Sequence, residues 1–137
     1  MAFRYTRRVQ FAETDLAGIA HFAMFFRYME EAEHALWRAA GLTIAKSGEN
    51  VGWPRVSARF DFKAPLHFED EFDVYITIAQ VSRSTITYDC RVMRGEQIIA
   101  EGSSTAVHVD KKPGDALKSK EIPQSILAAL RSVESQA

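Results

Sequence analysis

Three residues of types that can do chemistry fall within seven positions of the chain: Asp15, Gly18 and His21, in the stretch FAETDLAGIAHFAMFFRYME (residues 11–30). A carboxylate, a small flexible turn residue and an imidazole stand at the mouth of the most hydrophobic helix that the sequence predicts. An Asp in such a loop commonly serves as a turn or N-cap residue. Here the apolar periodicity starts near His21, six residues on, which is too far for Asp15 to cap that helix directly. The first amide N–H groups of a helix have no partner inside it and carry the favourable end of its dipole, so this mouth attracts negative charge. Gly18 either lets the loop approach a ligand closely or simply closes a turn. His21 could hydrogen-bond a substrate, orient a water, cap the helix or sit half exposed.

The elements that position these residues follow from periodicity. Phe3 to Phe11 reads as a strand, with Phe3, Tyr5, Val9 and Phe11 on one face; Arg7 breaks the apolar row. Residues 12–20 are a turn-rich loop. From His21 to Ala40 the apolar residues Phe22, Phe25, Phe26, Met29, Ala32, Leu36, Trp37 and Ala40 recur at helical spacing. Arg27, Glu30, Glu31, Glu33, His34 and Arg38 fill the opposite face, and Gly41 stops the helix. Val56, Ala58, Phe60 and Phe62 then alternate with charged and polar neighbours until Pro65. Similar alternation follows at Phe72–Ile78 and Ile86–Val92. RGEQ (94–97) reads as a tight hairpin, a last strand runs from Gln97 to Val109, and 122–133 is a short helical tail. Strands joined by short turns pair antiparallel, so the four strands after the helix are expected to form a meander. The wide apolar stripe of the helix needs a sheet to cover it. The expected fold is therefore α+β, a five-stranded, mostly antiparallel sheet wrapped around a long central helix in one domain spanning 1–137.

Composition narrows the function. With 17 basic and 18 acidic residues and a formal charge of −1, nothing global asks for nucleic acid or an anionic membrane. No stretch reaches the length of a membrane span. The charged, alternating N-terminus lacks a signal-peptide core. A lone cysteine, Cys90, has no internal partner for a disulfide, which suits a reducing, cytoplasmic setting. No Cys/His spacing suggests zinc, and no phosphate-loop motif is present.

The stretch ETDLAGIAHFAMFFRYMEEAEHALWRAAGL, with RVSARFDFKAPLHFEDEFDVYITI after it, resembles the hotdog-fold acyl-CoA thioesterases of the 4-hydroxybenzoyl-CoA thioesterase-like branch. The matching parts are Phe11, Thr14-Asp15, Ala17-Gly18-Ile19, His21-Phe22 and Tyr28. The resemblance implies hydrolysis of an acyl- or aroyl-CoA to a free acid and CoA. In it Asp15 is the nucleophile or general base, and the Phe22 backbone amide polarises the thioester carbonyl. Gly18 and His21 join the expected site. Tyr28 reads as core or pocket wall, and a helix glutamate (Glu30, Glu31 or Glu33) is the alternative base, as in another hotdog branch. CoA is part of the substrate, so no separate cofactor and no metal are expected. Its phosphates call for scattered cations, with Arg83 and Ser84 in VSRSTITY foremost and Arg59 and Lys63 behind them; Arg91, Lys111 and Lys112 are further candidates. The family joins sheets edge to edge, which implies a homodimer or homotetramer with active sites between subunits. A hotdog hydratase or dehydratase acting on acyl-CoA or acyl-carrier protein, and a non-catalytic acyl-thioester binding module, are the alternatives.

Overall fold

The computed structural model describes residues 2–136. Its main sheet has five strands: β1 (Phe3–Arg8), β3 (Arg55–Phe62), β4 (Glu71–Val81), β5 (Thr85–Arg94) and β6 (Gln97–Val107). Their order is β1-β4-β5-β6-β3, and every neighbouring pair is antiparallel. The last three strands form the meander that their short turns demand. The expected four-stranded meander is thus corrected to three: β3 crosses to the far edge and pairs with β6 instead of β4, leaving β1 and β3 as the edges.

Between β1 and β3 lies the helix α1 (Met24–Ala39). Phe25, Tyr28, Met29, Ala32, Leu36 and Trp37 on α1 are buried against Val74, Ile76 and Ile78 of β4 and Ile86, Tyr88, Cys90 and Val92 of β5. These are the alternating apolar positions read from the sequence, so the period-2 and period-3.6 patterns meet in one core. Gly41 ends the helix at φ +77°, donating its N–H to the Arg38 carbonyl while Leu42 donates to Trp37. That left-handed cap favours glycine, because a Cβ would strain it. At 16 residues the helix is shorter than expected. It begins three residues after His21, because the Met24 and Phe25 N–H groups bond carbonyls three residues back, those of His21 and Phe22, rather than four.

Three other expectations need correcting. The first strand stops at Arg8, and Phe11–Glu13 form a 3-10 turn that leaves Phe11 exposed. The last strand leaves the main sheet after Val107. Its continuation β7 (Val109–Asp110) pairs with β2 (Val51–Gly52) and β8 (Lys118–Ser119) in a second, three-stranded sheet. Glu33, read as part of the polar helix face, is buried and takes two hydrogen bonds from Arg55, at 2.7 and 3.1 Å. The tail forms α2 (Gln124–Gln136), which lies against α1 and β1. Among the described residues no helix is long and apolar enough to cross a membrane.

Candidate active site

A small hairpin carries the acidic turn. Thr14 and Ala20 face each other as an antiparallel bridge, Asp15 donates its N–H to Ile19 O at 3.0 Å, and His21 donates its N–H to Glu13 O at 2.8 Å. The chain reverses between Asp15 and Ile19 through Gly18, whose φ of +79° and open surroundings mark it as a turn glycine. A further bridge from Ile19 to His67 and a bond from the Ala20 N–H to Leu66 O tie this hairpin to the segment between β3 and β4.

Asp15 sits at the tip, exposed. Its Oδ1 accepts the Ala17 N–H at 2.8 Å, an Asx-type turn, so the ordinary turn role expected of an aspartate is real. Its second carboxylate oxygen has no partner among the described residues and remains available to solvent or a ligand.

The second half of the site is the approach to α1. The Ala23 N–H bonds the His21 Nδ1 at 3.1 Å, Met24 bonds the His21 carbonyl and Phe25 the Phe22 carbonyl. The Phe22 N–H between them has no hydrogen-bond partner among the described residues. Phe22 therefore lies in the turn before α1 rather than inside it, with its amide open and its ring exposed beside the His21 ring. Such a donor suits a developing negative charge. His21 is committed through its backbone and Nδ1 to shaping this turn.

Sequence reasoning missed what anchors the hairpin. Glu13 is buried, and its carboxylate accepts hydrogen bonds from Arg7 (2.6 Å), Tyr28 Oη (3.0 Å) and the Gln10 N–H (2.9 Å). Burial alone would raise the Glu13 pKa; the bonds from Arg7, Gln10 and Tyr28 outweigh it and hold the carboxyl below its ordinary range. The same burial, with the Glu13 carboxylate alongside, pushes the Tyr28 hydroxyl pKa up, so it stays protonated and donates. Arg7 also pairs with Glu31 at 2.7 Å and lies over the Tyr28 ring. The signal was the charged Arg7 interrupting an apolar row, which needs a buried partner to make sense.

The expected CoA-binding residues do not converge on Asp15 within one chain. Arg83 and Ser84 occupy the turn between β4 and β5, while Asp15 follows β1 beyond Arg8, which pairs with Glu71 at the other end of β4. The eleven residues of β4 separate the two ends by roughly 30 Å. Lys63, just past β3, bonds Ile99 through its N–H and lies at the Asp15 end. Arg59 is on the sheet face away from α1, paired with Asp61 at 2.8 Å in an outer groove of about 690 Å³ shared with Tyr75, Asp89, Arg91 and Glu101.

A five-stranded antiparallel sheet backing one central helix is the arrangement of the hotdog thioesterases. The chain belongs to the thioesterase-like superfamily, which residues 9–130 match. It is 35% identical over 133 residues to an Aquifex aeolicus (strain VF5) protein provisionally named an esterase, covering 96% of this chain and 99% of that one. It is 31% identical over 106 residues to the 1,4-dihydroxy-2-naphthoyl-CoA hydrolase of Synechocystis, covering 74% and 77% of the two chains. Among solved structures it resembles the 1,4-dihydroxy-2-naphthoyl-CoA thioesterase of Synechocystis, with TM-score 0.87, 28% identity and 96% of each chain covered. The gentisyl-coenzyme A thioesterase BH1999 superposes with TM-score 0.82 at 27% identity, covering 93% of this chain and 99% of that one.

Proposed function

We propose that this chain hydrolyses aroyl- or acyl-CoA thioesters, with Asp15 as nucleophile or general base and the Phe22 amide as the donor to the carbonyl oxygen. The observation that carries the reading is a half-free carboxylate at the tip of one hairpin and an unpartnered backbone N–H where the same hairpin runs into α1. A thioester carbonyl seated on that amide gains a stabilised oxyanion. The free Asp15 oxygen either attacks the carbonyl carbon, expelling the CoA thiolate and leaving an anhydride for water to open, or takes a proton from an attacking water. The aromatic acyl class is supported by the names of the relatives and by the exposed rings of Phe11, Phe22, Phe62 and Phe68 around this end of the molecule.

The separation of Asp15 from Arg83 supports a paired assembly. β3 is an edge strand whose residues are mostly exposed on both faces, Val56 and Phe62 among them. An unpaired edge of eight residues invites strand addition. Two copies joined antiparallel along β3 bring the Asp15 end of one sheet beside the Arg83 end of its partner, so the acyl group and the CoA phosphates are held by different subunits. No cofactor beyond the CoA of the substrate enters this scheme.

The test is thiol release from a panel of aromatic and aliphatic acyl-CoAs by wild type and Asp15→Asn. A fall in kcat of at least about 100-fold in the variant is expected. Turnover that survives Asp15→Asn overturns the role of Asp15. Hydration of an enoyl-CoA with no thiol release overturns the reaction class.

A further inference from the structure

Glu13 is held from two directions at once. Its side chain is fixed by Tyr28 of α1 and by Arg7 of β1, which itself grips Glu31 one turn along α1 through contacts of 2.7 and 3.2 Å. Its main-chain carbonyl accepts the His21 N–H, so it also grips the residue whose peptide bond ends in the Phe22 amide. Two residues further on is Asp15. Both reactive groups therefore hang from one post, and none of the side chains that fix the post is exposed enough to meet a substrate: Tyr28 is fully buried, Glu13 nearly so, and Arg7 retains 13% side-chain exposure.

We infer that Glu13, clamped by Arg7 and Tyr28, is a positioning residue that sets the spacing between the Asp15 carboxylate and the Phe22 amide, and that the Tyr28 hydroxyl contributes to turnover without touching substrate. The inference rests on the proposed thioesterase reaction for its catalytic half. The physical case is leverage. A carboxylate and an oxyanion donor must be placed to a fraction of an ångström, and a displacement of about 1 Å can cost on the order of 100-fold in rate. A two-stranded hairpin with an exposed tip has little stiffness of its own. Among its contacts with the described residues only the Glu13 carboxylate ties it to α1 and β1 through charged groups, and hydrogen bonds to charged groups are the strong ones. The Tyr28 ring is packed against Phe25 and Phe72 whether or not it carries a hydroxyl, so the oxygen can be removed without opening the core.

The decisive variant is Tyr28→Phe, with Glu13→Gln as a second that keeps the shape and removes the charge facing Arg7. Two measurements are made on protein shown by circular dichroism to be folded well above the assay temperature. The first is kcat and KM for the best acyl-CoA; a drop in kcat of about 10-fold with KM within about 3-fold is expected for Tyr28→Phe, and a larger drop for Glu13→Gln. The second is amide hydrogen exchange, which needs no substrate. Exchange at Asp15, Gly18 and His21, each a hydrogen-bonded amide of the hairpin, should rise at least 10-fold while the amides of β5 stay unchanged. A purely structural role would lower global stability and move all these amides together, leaving kcat of the folded enzyme intact. Unchanged hairpin exchange overturns the clamp whatever reaction the chain performs. Loosened exchange with kcat within 2-fold of wild type overturns its catalytic consequence. A wild type that releases no thiol refutes the thioesterase reading and the catalytic half with it, while the exchange data still decide the clamp.

Discussion

Gly102 of β6 faces Phe60 of β3, and there is no room between them for a side chain. A Cβ built on Gly102 falls 2.2 Å from the Arg59 carbonyl oxygen and 2.7 and 2.9 Å from two atoms of the Phe60 ring. The first contact is roughly 1 Å inside ordinary van der Waals distance and involves backbone, so no rotamer change relieves it. Phe60 cannot swing freely either, because its ring meets Phe25 at 5.9 Å and Phe26 at 5.3 Å, both on α1. Gly102→Ala must therefore push β3 off β6. Overpacking of this kind costs about 1–3 kcal/mol, and a backbone clash belongs at the upper end. The smaller entropy of the unfolded alanine chain returns about 0.4–1 kcal/mol. A net loss of about 2 kcal/mol is expected, read as a lower urea midpoint with an unchanged slope. Because the proposed assembly joins two copies along β3, the same substitution should shift the chain toward smaller species in size-exclusion chromatography at equal concentration. A midpoint equal to or above wild type would refute the close approach and the reasoning built on it.

Glu33→Gln strips the negative partner from Arg55 and should lower stability by about 2–3 kcal/mol, somewhat less than the roughly 3–5 kcal/mol of a fully buried broken pair, since Arg55 is partly exposed and Glu30 stands 3.9 Å from it. The double variant Glu33→Met with Arg55→Met should recover most of that loss in urea titrations, and failure to recover any would show the pair to be a net stabiliser. Cys90 is buried, and burial with the nearby Asp89 pushes its thiol pKa up to about 12. A raised value keeps the thiol protonated, so at pH 8.5 native protein should resist iodoacetamide for hours and react within minutes once unfolded in guanidinium, as mass spectrometry would show.

The main elements were legible in the sequence because each side chain's burial follows its neighbours' spacing. Val74, Ile76 and Ile78 alternate, and so do Ile86, Tyr88, Cys90 and Val92, and all seven are core residues. The acidic turn was legible too, because glycine and aspartate in a short loop carry their own conformational preferences. What periodicity could not show were bonds between residues distant in sequence. Glu33 belongs by type with the polar face of α1, and its burial is tolerable because Arg55, 22 positions away, donates to it and the Tyr88 hydroxyl lies against it. Arg7 interrupts an apolar row for the same reason, its partners being Glu13 and Glu31. The helix start slipped from His21 to Met24 because the turn between them closes through main-chain bonds three residues back, Met24 to His21 and Phe25 to Phe22, which side-chain types do not encode. Finally, the likeness that nominated Arg83 for the CoA phosphates carries no strand lengths; only the register of β4 shows that one chain holds Arg83 and Asp15 at opposite ends.

The open amide at Phe22 has a consequence for how this protein can vary. A hydrogen-bond donor that belongs to the main chain is present whichever residue occupies the position, with proline the sole exception. No single-base change turns a phenylalanine codon into a proline codon. Point mutation can thus redraw the surface that Phe22 presents, swapping ring for branched chain or hydroxyl, while leaving the N–H in place. The residue at the mouth of α1 is free to drift with the shape of what it meets, and the donor beneath it is inherited unchanged.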